Sequence, residues 1–190
     1  MTTGYAFAAL AESQRGDAYV FGAEAKWSDP DPARFDCSEL VEWCLRRLGV
    51  AAPDGSAAQW RWCRDAGRGC LPAQAIRTRG ALLFRMSGSP THVAISRGDG
   101  TTIEARGRAY GVNEFSAFGR AWTSGALVPG VDYSGKQGGL DVTQAELDAA
   151  IAAIKGSVDA TYNALRDQIG AISARLAEIG DTLARIERKA

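Results

Sequence analysis

Cys37 and His92 are the side chains on which nucleophilic chemistry at neutral pH can rest. His92 is the single histidine of the chain, and imidazole is the one side chain whose ordinary titration lies near pH 7. A thiol becomes a strong nucleophile only when ionised, which a helix N-terminus and a neighbouring imidazolium both favour. The segment Phe35-Asp36-Cys37-Ser38-Glu39-Leu40-Val41-Glu42-Trp43 offers that setting. Pro30 and Pro32 prevent a helix from starting earlier, and Asp36 suits an N-cap, so Cys37 falls in the first turn. Asp36 also poses a difficulty, because a free carboxylate beside the sulfur would oppose the thiolate. The reading therefore requires the Asp36 oxygens to be engaged by backbone N–H groups. Cys44 lies on the same helix face among leucines and reads as a small buried hydrophobe. Cys63 and Cys70 carry no flanking signal.

A cysteine nucleophile needs a base, and the base needs a third polar group to orient it. His92 begins the alternating segment His92-Val93-Ala94-Ile95 after a Gly88-Ser89-Pro90 turn, so its ring is expected to emerge at a strand start beside a cleft. Glu104 lies one hairpin strand later, within reach across the Gly98-Asp99-Gly100 turn, and its carboxylate would fix the imidazole tautomer. The alternative for Glu104 is an exposed strand residue. Tyr19, in Gly16-Asp17-Ala18-Tyr19-Val20-Phe21-Gly22, is either an oxyanion donor close to the thiol or a tyrosine at the core edge. Trp60, Arg61 and Trp62 either line a groove or, the simpler reading, pack on the core around a solvated arginine.

Helices are expected at 4–14, 37–48 and 56–66, the second with Leu40, Val41, Cys44, Leu45 and Leu48 at helical spacing and Gly49 as its stop. Strands are expected at 81–86, 91–97 and 101–105. Helices followed by antiparallel strands make an α+β domain.

The chain has 190 residues, 22 basic and 22 acidic, for a formal net charge of zero. No basic excess is present to hold nucleic acid, and no apolar run of membrane-spanning length occurs. The N-terminus lacks the charged n-region of a secretory signal, so lysis or assembly into a particle would have to bring the product to an extracellular target. The four cysteines form no C-x-x-C pair and the one histidine is remote, so no metal site or cofactor is expected. Thiols are the expected state, with a Cys63–Cys70 bridge left open for an oxidising medium.

Composition changes near residue 133. The stretch 134–140 is polar and glycine-rich and reads as a linker between a globular domain, 1–133, and a tail, 141–190. In the tail, apolar residues fall at 147, 151, 154, 158, 162, 165, 169, 172, 176, 179, 183 and 186. These steps of three and four form a heptad stripe with one stutter, the pattern of a coiled coil. Leu at 176 and 183 with Ile at 172, 179 and 186 favours three or four strands over two. Gly170 and Gly180 each weaken the helix by about 1 kcal/mol relative to Ala. The expectation is a homo-oligomer, trimer or tetramer, through 147–186, or docking on a partner helix.

Taken in order, Tyr19-Val20-Phe21-Gly22, Phe35-Asp36-Cys37-Ser38-Glu39-Leu40-Val41, Gly80-Ala81-Leu82-Leu83-Phe84 and His92-Val93-Ala94-Ile95 resemble the NlpC-type cell-wall peptidases over roughly residues 5–130. The resemblance implies a papain-like α+β fold and cleavage of peptide or amide bonds in peptidoglycan stem peptides, often next to γ-D-glutamyl residues. It places the nucleophile on Cys37, the base on His92 and the tyrosine near the thiol on Tyr19. Asp36, Ser38 and Glu39, with Tyr19, are then the residues expected to hold the oxyanion or substrate. Two departures stand out: Glu39 replaces the common glycine after Cys-Ser, and Glu104 takes the third position, commonly histidine. The variants Asp36-Cys37-Ser38-Glu39 and Ile103-Glu104-Ala105-Arg106 look most like lysin modules of phages of actinobacteria, implying action on the bacterial wall, free or virion-associated. Two rivals share the fold: a phage or envelope component whose domain only binds wall, and an acyltransferase.

Overall fold

The structure, a computed structural model, describes residues 1–135 and 144–187. In chain order the elements are β1 (Thr2–Thr3), α1 (Gly4–Ser13), β2 (Ala18–Tyr19), β3 (Arg34–Phe35), α2 (Cys37–Arg47), α3 (Ser56–Asp65), β4 (Gly69–Cys70) and α4 (Pro72–Ile76). There follow β5 (Leu82–Ser87), β6 (Ser89–Ser96), β7 (Thr101–Ala105), β8 (Val112–Ser116), β9 (Ser124–Ala126), β10 (Val131–Asp132) and α5 (Gln144–Glu187). Two compact units result, Met1–Asp141 and Val142–Ala190.

The first unit is helices followed by an antiparallel sheet of order β4-β9-β5-β6-β7-β8. α2 forms where its stripe of Leu40, Val41, Cys44 and Leu45, all buried, can face the sheet residues Leu82, Phe84, Val93, Ile95 and Ile103. Trp43 is buried too, edge-on to Phe35 at 5.5 Å, with its indole N–H donated to the Asp29 carbonyl at 3.1 Å. Complete burial of the thiol pushes Cys44 well above the ordinary thiol range. All four cysteines are free thiols, and burial raises Cys63 to about 12 and Cys70 by less. Trp60 and Trp62 pack against the core, Trp60 donating to Ser124 Oγ at 3.2 Å, while Arg61 is exposed.

His92 does not open its strand. β6 starts three residues earlier, turning tightly from β5 at Gly88, with a bulge opposite Arg85 and Met86. Pro90 is tolerated there because the pairing of β6 with β7 is confined to Ile95↔Ile103 and Ser96↔Thr102, leaving its N-terminal half an edge on that side.

Tyr133 belongs to the first unit: its hydroxyl donates to the Gly80 carbonyl at 2.9 Å and accepts from the Val128 N–H at 3.0 Å. The expected linker lies outside the described residues from 136 onward. α5 is one helix of 44 residues, about 66 Å long at 1.5 Å per residue. Its stripe residues Ile151, Ile154, Val158, Tyr162, Leu165, Ile169, Ile172, Leu176, Ile179 and Ile186 are each 54–66% exposed. The side chains of Leu147 and Leu183 lie outside the described residues. No described helix is long and apolar enough to cross a membrane.

Candidate active site

Asp36 caps α2 and is fully engaged in doing so. Its Oδ1 accepts from the N–H groups of Ser38 at 3.0 Å and Glu39 at 2.8 Å and from the Ser38 hydroxyl at 2.9 Å. Its Oδ2 accepts from the Gly22 N–H at 3.0 Å. The carboxylate is thereby held on the helix end and on the Tyr19–Gly22 turn instead of being turned onto the sulfur. The cap uses the N–H groups of Ser38 and Glu39, and that of Cys37 is not among its donors. β2 runs parallel to β3 with Tyr19 opposite Phe35, which carries Tyr19 to the mouth of the same helix. Burial and the nearby Cys37 and Asp36 raise the Tyr19 phenol above its ordinary value.

His92 is 6% exposed and Glu104 1%. Ser96 and Thr102 oppose each other across β6 and β7, and alternation puts His92 with Ser96 and Glu104 with Thr102 on one face of the sheet. There His92 Nε2 makes a short hydrogen bond with Glu104 Oε2. That leaves Nδ1 on the side of Cys37, which is near enough to act on the imidazole. Burial alone would lower the histidine, but the neighbouring Cys37 and the hydrogen-bonded, charged Glu104 prevail and raise it above 6.5. For Glu104, burial is overcome by the bonds from His92, Arg120 and Thr102, which hold its carboxyl at about 2. The structure thus brings Cys37, His92, Glu104 and Tyr19 together. An imidazole so oriented can take the proton of a thiol and return it to a leaving group.

Ser38 and Glu39 face other neighbours. The Ser38 carbonyl accepts from the Gln59 amide at 2.9 Å, tying α3 to the start of α2. Glu39 is 6% exposed and its Oε1 accepts from the Ala25 N–H at 2.9 Å. Carboxylate oxygens of Glu39, Glu42 and Asp54 lie within 4.8 Å of one another, the one cluster of metal-ligand type among the described residues. Arg46 pairs with Glu42 at 2.7 Å, and burial, opposed by the Ala25 bond and joined by the charges of Glu42, Asp36 and Asp54, raises Glu39 to about 7. Arg46 offsets part of the negative charge of the cluster.

Sequence reasoning missed Arg120, Thr102 and Trp122. Arg120 forks onto Glu104, Nη1 to Oε1 in a short contact and Nη2 to Oε2 at 3.0 Å, while the Thr102 hydroxyl donates to Oε1 at 2.7 Å. The Trp122 ring stacks on His92, centroids 6.0 Å apart and planes within 19°. The usable signal was energetic: a strand carboxylate read as catalytic and buried must have a cationic partner, and only spatial placement says which arginine.

A cysteine at a helix N-terminus, facing a strand-borne histidine backed by a carboxylate, on helices followed by an antiparallel sheet, is the architecture of the papain-like cysteine peptidases. A sequence model of the NlpC/P60 family matches residues 16–129, and the chain belongs to that family. Among curated proteins it is 35% identical over 106 residues to peptidoglycan endopeptidase RipB of Mycobacterium tuberculosis, an overlap of 52% of this chain and 42% of RipB. The chain therefore spans less than half of that relative. Among solved structures, the NlpC/p60 domain of the peptidoglycan hydrolase SagA is similar over its whole length and 67% of this chain, at 29% identity and a TM-score of 0.55. The structure of RipB is similar over 68% of this chain and 65% of its own, at 27% identity and a TM-score of 0.56.

Proposed function

We propose that this chain is a peptidoglycan hydrolase that cuts an amide bond of a wall stem peptide by acyl-enzyme chemistry at Cys37. The observation that carries the reading is the continuous line Cys37–His92–Glu104, with the Asp36 carboxylate diverted from the sulfur by its four donors. RipB, a peptidoglycan endopeptidase, and SagA, a peptidoglycan hydrolase, support the substrate class. In this mechanism His92 Nδ1 takes the Cys37 proton and the sulfur attacks the carbonyl carbon. The oxyanion is met by the Cys37 N–H and the Tyr19 hydroxyl, the remaining donors at the helix mouth. Collapse breaks the C–N bond as His92 hands its proton to the leaving amine. Water, deprotonated by His92, then cleaves the thioester, releasing a carboxylate and restoring the thiol. Glu39, where glycine is common, acts on the nucleophile turn through its bond from the Ala25 N–H, and by way of that turn bears on which stem peptide fits.

The motifs Asp36–Glu39 and Ile103–Arg106 support a lysin or virion-associated setting. The exposed heptad stripe of α5 supports association of tails from several copies as a coiled coil, since seams of this length are rarely left open in soluble monomers. The test is mass spectrometry of fragments released from defined peptidoglycans. New amine and carboxylate ends in equal number, absent with Cys37→Ala, are the expected result. Intact wall with the wild-type chain, or fragments carrying a transferred acyl group, would overturn the reading.

A further inference from the structure

A carboxylate as buried as Glu104 needs more compensation than one imidazole supplies, because an uncompensated buried charge costs several kcal/mol. Arg120, in the segment between β8 and β9, supplies it. Its guanidinium meets both Glu104 oxygens, and a two-point fork fixes the plane of a carboxylate where a single donor would let it rotate. The same guanidinium lies 4.3 Å from the centroid of the Trp122 ring, which is stacked on His92. The Trp122 indole N–H is anchored on the Ala117 carbonyl at 3.0 Å, so the ring is pinned at one edge and covered by the guanidinium on its face. Glu104 and Trp122 are the two groups that set the tilt and tautomer of the imidazole, and Arg120 touches both.

We infer that Arg120 is a positioning residue for the base: through the Glu104 fork and the Trp122 face it holds the His92 ring in line with Cys37 and tempers the hold of the carboxylate on the imidazole proton. The inference rests on the peptidase reading of this site. Among the described residues, the charged or titratable groups facing the histidine are Cys37 from α2 and Glu104 from β7, with the exposed Arg85 of β5 opposite it across the strand pair. Arg120 acts through Glu104, and Asp36 and Tyr19 act through Cys37. Loss of the positive charge raises the proton affinity of the His92–Glu104 pair, whichever member carries the proton.

The test uses the full chain and two readouts. His92 is the only histidine, so its imidazole titration by NMR needs no assignment. It is recorded with Cys37→Ala as background, which removes coupling to the thiol and makes the reading independent of turnover. Arg120→Gln should raise the midpoint by on the order of one pH unit. In the chain with Cys37 intact, it should lower kcat by about 10- to 100-fold with KM nearly unchanged. Arg120→Lys keeps the charge without the fork. It should leave the midpoint within a few tenths of the parent, as about one unit separates the charged and uncharged forms, yet still lose several-fold in kcat. A midpoint unmoved by Arg120→Gln would overturn the inference, as would a wild-type kcat in Arg120→Lys, which serves even if the glutamine variant fails to fold. If the wild-type chain releases no fragments from peptidoglycan while the midpoint moves as stated, the hydrolase reading fails and the placement of Arg120 stands.

Discussion

Replacing Glu104 tests the line of proton transfer at its most buried point. In the native site Oε2 takes His92 Nε2 and Arg120 Nη2, and Oε1 takes Arg120 Nη1 and Thr102 Oγ1. Its carboxyl is held at about 2, against an ordinary 4.5, a preference for the ionised form of about 3 kcal/mol at 1.36 kcal/mol per unit. Glutamine has nearly the same shape, but its amide offers one acceptor and one donor. With its oxygen toward His92 the tautomer is preserved, and the hydroxyl of Thr102 can turn to accept from the amide. One Arg120 N–H then meets an N–H, and the negative charge that supports the imidazolium is gone. Hydrolysis of a soluble stem peptide by Glu104→Gln should fall by about 10- to 100-fold, and by Glu104→Ala by up to about 10⁴-fold, without exceeding the loss in His92→Ala. Glu104→Ala also strands a guanidinium that is 14% exposed, so its thermal midpoint should drop, and initial rates need to be measured well below it. Wild-type rates in folded Glu104→Ala would refute the orienting role, and equal losses in the two variants would refute the hydrogen-bond argument that separates them.

Cys37→Ala should abolish hydrolysis with an unchanged thermal melt, whereas Cys44→Ala, a core substitution, should keep kcat within a few-fold. Equal activity loss in both with unchanged melts would contradict the assignment. Glu39 is raised from 4.5 to about 7, so the folded state holds its proton more tightly than the unfolded chain. Stability from this group is present at low pH and is lost as pH rises through about 7. Melts of Glu39→Gln should therefore gain on wild type between pH 5 and 8, by at most about 3 kcal/mol; a gap that does not change with pH would show that the side chain is not titrating. A chain ending near residue 135 should sediment as a monomer and still cleave a small soluble substrate, being slower on whole walls if multivalency matters. The full chain should sediment as a trimer or tetramer that Ile172→Asp with Ile179→Asp dissociates, and a full-length monomer at tens of micromolar would refute self-association.

The parts of the fold that could be read from sequence are those with enough length to show a period. α2 carries four buried apolar residues on one face and ends where Gly49 permits it, and β7 is bounded by Gly100 and Arg106. β4, β9 and the five-residue α4 are too short for any period; β9 exists by pairing along β5, and β4 by pairing with β9. Val112–Ser116 alternates only weakly, Asn113 and Ser116 being exposed and Glu114 and Phe115 half-buried, and it becomes a strand by pairing along β7. His92 was expected at a strand start because Pro90 reads as a stop. The sheet leaves that edge unpaired, so proline costs nothing there and the strand begins before it.

The site shows the same division between local and spatial information. Asp36 as a cap follows from three adjacent residues and the helix rule, and its harmlessness to the thiol was deducible in form: some set of donors had to occupy it. That Gly22 would supply one of them depends on the parallel pairing of β2 with β3, which no local pattern announces. Glu104 could be placed near His92 from the length of one hairpin. Arg120, 16 residues further on, could not, because the segment that carries it crosses the end of the sheet without a repeating pattern. Yet the need for such a residue follows from Glu104 alone: a carboxylate that must stay ionised while fully buried cannot be the last member of its chain of contacts. In a cysteine site whose third residue is acidic, the compensating cation is therefore part of what lets the histidine act as base, and a neutral third residue would leave an arginine at this place without a partner.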